Sequence, residues 1–161
     1  MNQSRFDQYR ERGDVFHQCI DQYWNTGQAG NAGKYQAWVD SFLSYPNLDK
    51  WEALVTEYRM CDRTYRIAGT CDLILRHLET GRIALCDYKT KEEKFSKSNH
   101  RVQMGGYISL LQATNPNFHI DTVRISWVTP KETSSTEYDI LDWFKVYEQA
   151  RNAYFARQPN F

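Results

Sequence analysis

The sequence has no long apolar run, no paired-cysteine motif and no excess of charge of either sign, and each absence narrows the class of protein. No apolar segment reaches the roughly 20 residues that a membrane-spanning helix requires, and no signal peptide opens the chain. Twenty basic residues balance twenty acidic ones, so any binding of a polyanion must depend on a local group of charges. We therefore expect an intracellular, cytoplasmic protein without a membrane partner.

The spacing of the cysteines and glycines does not indicate a bound cofactor. Cys19, Cys61, Cys71 and Cys86 show no CxxC spacing, and disulfides are not expected inside a cell. Cys71 and Cys86 alternate with acidic residues on predicted strands, which favours buried free thiols. The glycine-rich segment 28–33 lacks the spacing of a phosphate-binding loop.

Hydrophobic periodicity predicts an α/β protein, and the length suits a single domain over residues 1–161. Apolar residues at helical and at alternating spacing occur in turn along the chain. The order of elements predicts a mixed central β-sheet with helices on both faces. The predicted helices are 5–24, 34–44, 98–114 and 140–157, and the predicted strands are 52–60, 65–76, 82–88, 121–129 and a short one at 136–139.

Three short polar motifs follow one another: GTCD (69–72), DYKT (87–90) and QMGGY (103–107). Side chains alternate along a strand, so Asp87 and Lys89 point to one face while Cys86 and Tyr88 point to the other. Two residues four apart share one face of a helix. We therefore expect Gln103 and Tyr107 to reach the same place.

These residue types suit the hydrolysis of a phosphodiester. Asp72 and Asp87 supply the hard oxygen ligands that Mg²⁺ or Mn²⁺ prefers, and such an ion can activate water. Lys89 can stabilise charge that develops on phosphate. Alone, a D-x-K sequence on an exposed strand is commonly a surface pair, but three motifs in register favour the catalytic interpretation.

In this order, G-x-x-D and D-x-K resemble the PD-(D/E)XK nuclease superfamily, and Gln-x-x-x-Tyr resembles its RecB-like branch. That branch also carries Gly-x-x-x-His on an N-terminal helix, which Gly13 and His17 match. The motifs span residues 12–107, and the compact form is similar to the mitochondrial genome maintenance exonuclease and its phage relatives. The resemblance implies a restriction-endonuclease-like core.

The resemblance also implies a metal centre. His17, Asp72, Asp87 and the backbone carbonyl of Tyr88 would surround one Mg²⁺ or Mn²⁺, with Glu57 as a second-tier acid. From the residues alone, a histidine at position 17 is more often a packed boundary residue than a metal ligand, and Glu57 is as often an exposed strand residue as a site acid. Relatives that bind an iron–sulfur cluster place cysteines before the histidine motif and near the C-terminus, so no cluster is expected here.

By the same resemblance, Gln103 and Tyr107 organise Lys89, the water or the DNA backbone. Gly105 and Gly106 are costly inside a helix, and close packing against the sheet would explain them. Ser98 or Asn99 could cap this helix, and Val102, Leu110 and Leu111 would anchor it.

The segment between the strand motif and the helix is rich in cations. It reads either as a solvated charged loop, diluted by two glutamates, or as a loop that holds the DNA backbone and offers an aromatic ring to a base. The candidate DNA-binding residues are Lys91, Lys94, Phe95, Lys97 and Arg101.

The sequence thus predicts a metal-dependent deoxyribonuclease, with an exonuclease on single-stranded or end-accessible DNA favoured. DNA repair, recombination or phage DNA processing would be its setting, and a recombination or replication protein its partner. The alternatives are an endonuclease of the same fold and an inactive protein that binds DNA or a partner. The joint presence of Asp72, Asp87 and Lys89 argues against the inactive protein.

Overall fold

The computed structural model describes residues 3–92 and 100–157, with side chains from Phe6 onward. This part of the chain forms four α-helices and five strands. In chain order they are α1 (Gln3–Thr26), α2 (Gln36–Leu43), β1 (Trp51–Asp62), β2 (Ile67–His77), β3 (Ile83–Thr90), α3 (Arg101–Thr114), β4 (Thr122–Val128), β5 (Thr133–Tyr138) and α4 (Ile140–Phe155).

The five strands form one mixed sheet in the order β1-β2-β3-β4-β5. Neighbouring strands are antiparallel except β3 and β4, which are parallel. A parallel pair needs a crossover connection, and α3 supplies it. The predicted α/β fold with a mixed central sheet is therefore confirmed.

A separate apolar core covers each face of the sheet. On one face, Phe16 and Ile20 of α1 and Phe42 of α2 pack on Leu73 and Tyr88. On the other face the buried residues come from α3, α4 and the opposite side of the strands, and include Met104, Ile108, Ile74, Leu85, Ile125 and Trp143. Because β4 is covered on both faces, all seven of its residues are buried.

The glycine pair of α3 faces another helix, which corrects the predicted packing against the sheet. A Cβ on Gly105 would strike the carbonyl oxygen of Trp143 and lie 2.7 Å from Cβ of Tyr147, both on α4. A Cβ on Gly106 would lie 3.2 Å from the Tyr147 ring. The glycines therefore allow α3 and α4 to approach each other closely.

Smaller differences concern the ends and anchors of elements. Val102 is 39% exposed, so Leu110 and Leu111 anchor α3 without it. Gly69 of β2 faces the side chains of Leu110 and Tyr107 on α3. His100 precedes α3 without a side-chain capping bond, and the predicted caps, Ser98 and Asn99, lie outside the described residues.

The cysteines, the last strand and the hydropathy of the helices also bear on the sequence expectations. Cys71 and Cys86 are buried free thiols, as predicted, and burial raises the pKa of Cys71 to about 12. The last strand begins at Thr133, earlier than the predicted start at 136. Among the described residues, no helix is both long enough and apolar enough to cross a membrane.

Candidate active site

The candidate site lies where β2 and β3 separate. Their pairing runs from Arg76 with Ile83 to Leu73 with Cys86 and ends there, so Asp72 and Asp87 are the first residues beyond it. On the other side of β2, the ladder skips Glu57, which has a left-handed φ of 47°. Such a backbone is uncommon and strained for a residue other than glycine. Three acids therefore surround one local opening in the sheet.

Asp72 bridges this opening. Because β2 no longer offers a carbonyl to β3, the backbone N–H of Tyr88 donates to Asp72 Oδ2 at 3.0 Å. The other oxygen, Oδ1, lies 3.6 Å from His17 Nδ1. The carboxylate is thus held between a strand and a helix.

His17, Glu57 and Asp72 form a group suited to a cation. His17 Nδ1 lies 3.9 Å from Glu57 Oε1, and each of the three residues offers one ligand atom within 4.8 Å of the others. The His17 ring is held edge-on against Tyr88 and Phe16. Two carboxylates and an imidazole fit a divalent ion such as Mg²⁺ or Mn²⁺.

Asp87 of β3 belongs to a neighbouring polar network that includes two residues of α3. Its side chain is 1% exposed, and Oδ2 lies 2.6 Å from Lys89 Nζ, although the angle leaves Oδ2 without a well-directed hydrogen bond. Lys89 Nζ also donates to Gln103 Oε1 at 3.2 Å. Gln103 Nε2 donates to Tyr107 Oη at 2.9 Å and to Asp87 Oδ1 at 3.4 Å. The structure therefore brings these four predicted residues together.

Burial raises the pKa of both aspartates in this opening. Burial, helped by the charge of Asp72, raises the pKa of Asp87 to about 6, although Lys89 opposes the shift. Burial also raises the pKa of Asp72. Burial alone would lower the pKa of His17, but Glu57, Asp72 and Asp87 outweigh it and raise that pKa. A divalent cation would relieve the same repulsion.

The remaining candidate residues are only partly described. The Lys91 ammonium lies 4.7 Å from the Trp127 ring centroid, and Arg101 is exposed at the start of α3. Lys94, Phe95 and Lys97 lie outside the described residues. The Tyr88 side chain is buried, and its hydroxyl accepts from Trp24 Nε1 at 2.8 Å. The role of the Tyr88 carbonyl as a metal ligand stays a prediction.

Arg12 is an important residue that sequence reasoning missed. It is 5% exposed, donates to Thr90 O at 3.0 Å, and its guanidinium lies over the rings of Tyr9 and Trp38. Trp38 Nε1 donates to Lys91 O at 2.8 Å. Helices α1 and α2 therefore hold the end of β3 that carries Lys89. No sequence spacing indicates these long-range partners.

A solvent-open cleft of about 490 Å³ adjoins His17. Asp14, Asp21 and Glu57 contribute carboxylates to its lining, and Arg10 contributes a cation. The acidic character of this side contrasts with Lys89, Lys91 and Arg101 on the other side of the opening.

Comparison with known proteins identifies the family. No curated protein matches this chain significantly. The crystal structure of SSO0001 is similar at 16% identity, over 89% of this chain and 74% of that chain, with a TM-score of 0.41. The family model of the PD-(D/E)XK nuclease superfamily matches residues 33–157. That segment begins after His17, so the RecB-like branch stays a prediction. With the match covering most of its length, the chain belongs to the PD-(D/E)XK nuclease superfamily.

Proposed function

We propose that the chain is a metal-dependent deoxyribonuclease that hydrolyses phosphodiester bonds at the opening between β2 and β3. The observation that carries this proposal is the meeting of His17, Glu57 and Asp72 beside the Asp87–Lys89 pair. Superfamily membership implies nuclease activity in general, and members typically use divalent metals.

Mg²⁺ or Mn²⁺ would be held by His17, Asp72, Asp87 and the carbonyl of Tyr88. Glu57 offers a further carboxylate, since it faces the same group. When bound, the ion would lower the pKa of a water molecule and neutralise charge that develops on the phosphate.

The protein's own groups would orient the reaction. In hydrolysis, the water oxygen bonds to phosphorus, the bond to the leaving oxygen breaks, and a proton passes overall from water to that leaving oxygen. Lys89 is fixed by Asp87 and Gln103, so its ammonium is available to stabilise the added negative charge. Tyr107 holds Gln103 in place, which makes both of them positioning residues.

DNA would approach from the basic side of the opening. Phosphates are repelled by Asp14, Asp21 and Glu57 and attracted by Lys91 and Arg101. Lys94, Phe95 and Lys97 would extend that surface. Because the cations are few, we infer an exonuclease that favours single-stranded or accessible ends. Its setting would be repair, recombination or phage DNA processing, with a recombination or replication protein as partner.

Digestion of labelled DNA tests this proposal. Linear and circular single strands, and the matching duplexes, are incubated with Mg²⁺, Mn²⁺ or EDTA, and the Lys89→Ala protein serves as the control for contaminating nuclease. We expect metal-dependent shortening of linear single strands and little loss of the circle. Rapid linearisation of the circle would identify an endonuclease instead. Binding without cleavage in either metal would identify an inactive DNA-binding protein.

A further inference from the structure

A second polar cavity, the Arg124 cavity, lies at the far end of the sheet. It has a volume of about 330 Å³, and its lining includes Lys50, Trp51, His77, Arg82 and Arg124. Trp51 and His77 are paired at the end of the β1–β2 ladder. Since Glu57 is six residues further along β1, the cavity is roughly 20 Å from the metal-binding group at about 3.3 Å per residue.

The sheet separates this cavity from Asp87 and Lys89, and distance along the strands separates it from His17. Arg124 pairs with Cys86 in the β3–β4 register, and both Cys86 and Trp51 belong to the core beneath α1 and α2. Asp87 and Lys89 point to the opposite face, towards Gln103 of α3. A ligand in the cavity therefore does not touch the catalytic candidates.

Arg124 is an unusual residue to find inside the lining. Its side chain is only 10% exposed, and Glu137 Oε1 approaches NH1 no closer than 3.7 Å. The guanidinium lies 4.7 Å from the Trp51 ring centroid and 5.6 Å from that of Tyr45. Within residues 3–92 and 100–157 it makes no hydrogen bond. The two rings hold the guanidinium in place while its donors stay open to the cavity, so they are available to an anion.

Other cations surround the same space. Lys50 and Arg82 also line the cavity, and Glu137 is the carboxylate in its lining. Glu137 Oε2 is engaged by Arg82 at 3.1 Å, and Lys50 Nζ lies 3.5 Å from Glu79 Oε1, so three cations face two carboxylates and one positive charge is left over. His77 Nδ1 accepts from the backbone N–H of Thr80 at 3.3 Å, so a neutral His77 carries its proton on Nε2 as a further donor.

We propose that the Arg124 cavity binds a phosphate group, carried either by a nucleotide or by a nucleic-acid strand. A guanidinium can bind two phosphate oxygens in parallel, and Lys50 and Arg82 add two further charges at the rim. The overall charge of the chain is zero, so this concentration of cations is not a general property of its surface.

Nuclear magnetic resonance titration of the full chain tests the site. Inorganic phosphate and thymidine 5′-monophosphate are added without divalent metal. We expect saturable shifts at Trp51, His77, Arg82 and Arg124. The double variant Lys50→Gln/Arg82→Gln removes exposed rim charges and should fold normally. It should weaken phosphate binding by about tenfold or more, the equivalent of one charge-assisted hydrogen bond.

Arg76→Gln is the matched control, because Arg76 is exposed, precedes His77 and is bonded to Glu52 outside the cavity. It should leave phosphate affinity unchanged. The proposal is overturned if phosphate causes no saturable shift at these residues, if it shifts only residues around Asp72, or if the double variant binds as tightly as the control.

A single-stranded oligonucleotide, added to the Lys89→Ala chain, distinguishes the two sources of phosphate. If the natural ligand is a nucleic-acid strand, the oligonucleotide should bind more tightly than thymidine 5′-monophosphate. Its binding to the double variant should also depend less on salt than its binding to the chain with Lys50 and Arg82 intact. The slope should fall by about 0.7 for each phosphate that the double variant no longer binds. Equal affinity for both ligands identifies a small phosphorylated ligand. Either result supports the cavity, and neither depends on whether the chain cleaves DNA.

Discussion

Asp87 is a carboxylate that is almost entirely removed from water and depends on Lys89 as its cation. An ion pair in such a place costs desolvation energy, so its presence at the opening between two strands favours a chemical role. Lys89 is itself held by Gln103. The two residues therefore act as one unit in any substitution experiment.

Replacing Lys89 by alanine should lower DNA cleavage by several orders of magnitude while DNA affinity changes little, because its charge is needed most in the transition state. Single-turnover cleavage and filter binding measure the two quantities. Lys145→Ala, an exposed position on α4, is the control and should retain wild-type cleavage.

Asp87→Asn should abolish cleavage and weaken metal binding together. Near wild-type cleavage by both active-site variants would refute the nuclease proposal.

Glu57 is the residue whose importance the structure raises most. Glu57→Gln should reduce Mg²⁺ or Mn²⁺ affinity about tenfold or more, since a carboxylate that faces the ion is removed. Calorimetric titration with metal provides the measurement. Glu52 lies on the same strand and pairs with Arg76 outside the site. The Glu52→Gln control should therefore leave the metal affinity unaltered. Equal affinities for the two variants would return Glu57 to an ordinary exposed strand position.

His100 should make stability depend on pH. Burial, with the charges of Lys89 and Lys91, lowers its pKa from 6.5 to about 4. The unfolded chain then binds the proton more readily, so this residue's contribution to stability grows as pH rises from about 4 to 6.5 and is lost as pH falls. Urea unfolding at several pH values measures it.

In that experiment His100→Gln should show a smaller rise in the free energy of unfolding across the same pH range than the wild type. His119→Gln is the control, because the His119 side chain is 79% exposed, and it should follow the wild-type curve. If His100→Gln also follows that curve, the histidine is not protected from protons in the folded chain.

Proximity of residues was predictable only where it depends on local geometry. Strand alternation placed Asp87 with Lys89, and the helical repeat placed Gln103 with Tyr107. Glu57 could not be assigned, because its approach to His17 depends on a left-handed backbone and on the register between β1 and β2. Arg12 gave no signal, since its partners are nearly 80 residues away, at separations of 78 and 80.

At the scale of elements, α4 determines where α3 can lie. The regular strands and helices were predictable from periodicity, whereas the polar β5 (Thr133–Tyr138) has no apolar alternation to indicate its length. The partner of the α3 glycines was not predictable, because it requires the position of α4 in space. Gln103 and Tyr107 therefore depend on packing that is remote in sequence, at Trp143.

Gly105→Ala should destabilise the protein by roughly 1–3 kcal/mol through overpacking and should also slow cleavage by displacing Gln103. Gly13→Ala is the opposite case, since a Cβ there meets no atom within 4 Å, and it should stabilise α1 by about 0.5–1 kcal/mol. Urea denaturation compares the two variants. Equal stability would mean that α3 and α4 do not touch at Gly105 as described.

At the scale of the molecule, zero net charge conceals a separation of charges. Acidic groups line the cleft beside α1, and cations gather on the other side of the opening and in the Arg124 cavity. Association with DNA must therefore rely on a few bound phosphates and should be weak.

The salt dependence of single-stranded DNA binding should report how many phosphates are bound. Lys91 and Arg101 alone predict a slope of about −1.4 in log affinity against log salt, and participation of Lys94 and Lys97 would steepen it to about −2.8, at roughly 0.7 for each phosphate. Fluorescence anisotropy of a labelled strand gives the slope. A value near zero would show that these cations do not bind phosphates.

The separation of β2 from β3 leaves the Tyr88 amide bonded to a carboxylate where a strand would normally supply a carbonyl. The resonance of that amide proton, and its rate of exchange with deuterium, should respond to the charge that the Asp72 carboxylate carries. A cation bound by the other oxygen would draw electron density away and weaken the acceptor. This one backbone proton would then serve as a spectroscopic reporter of cation occupancy, readable without substrate and in variants that cannot cut.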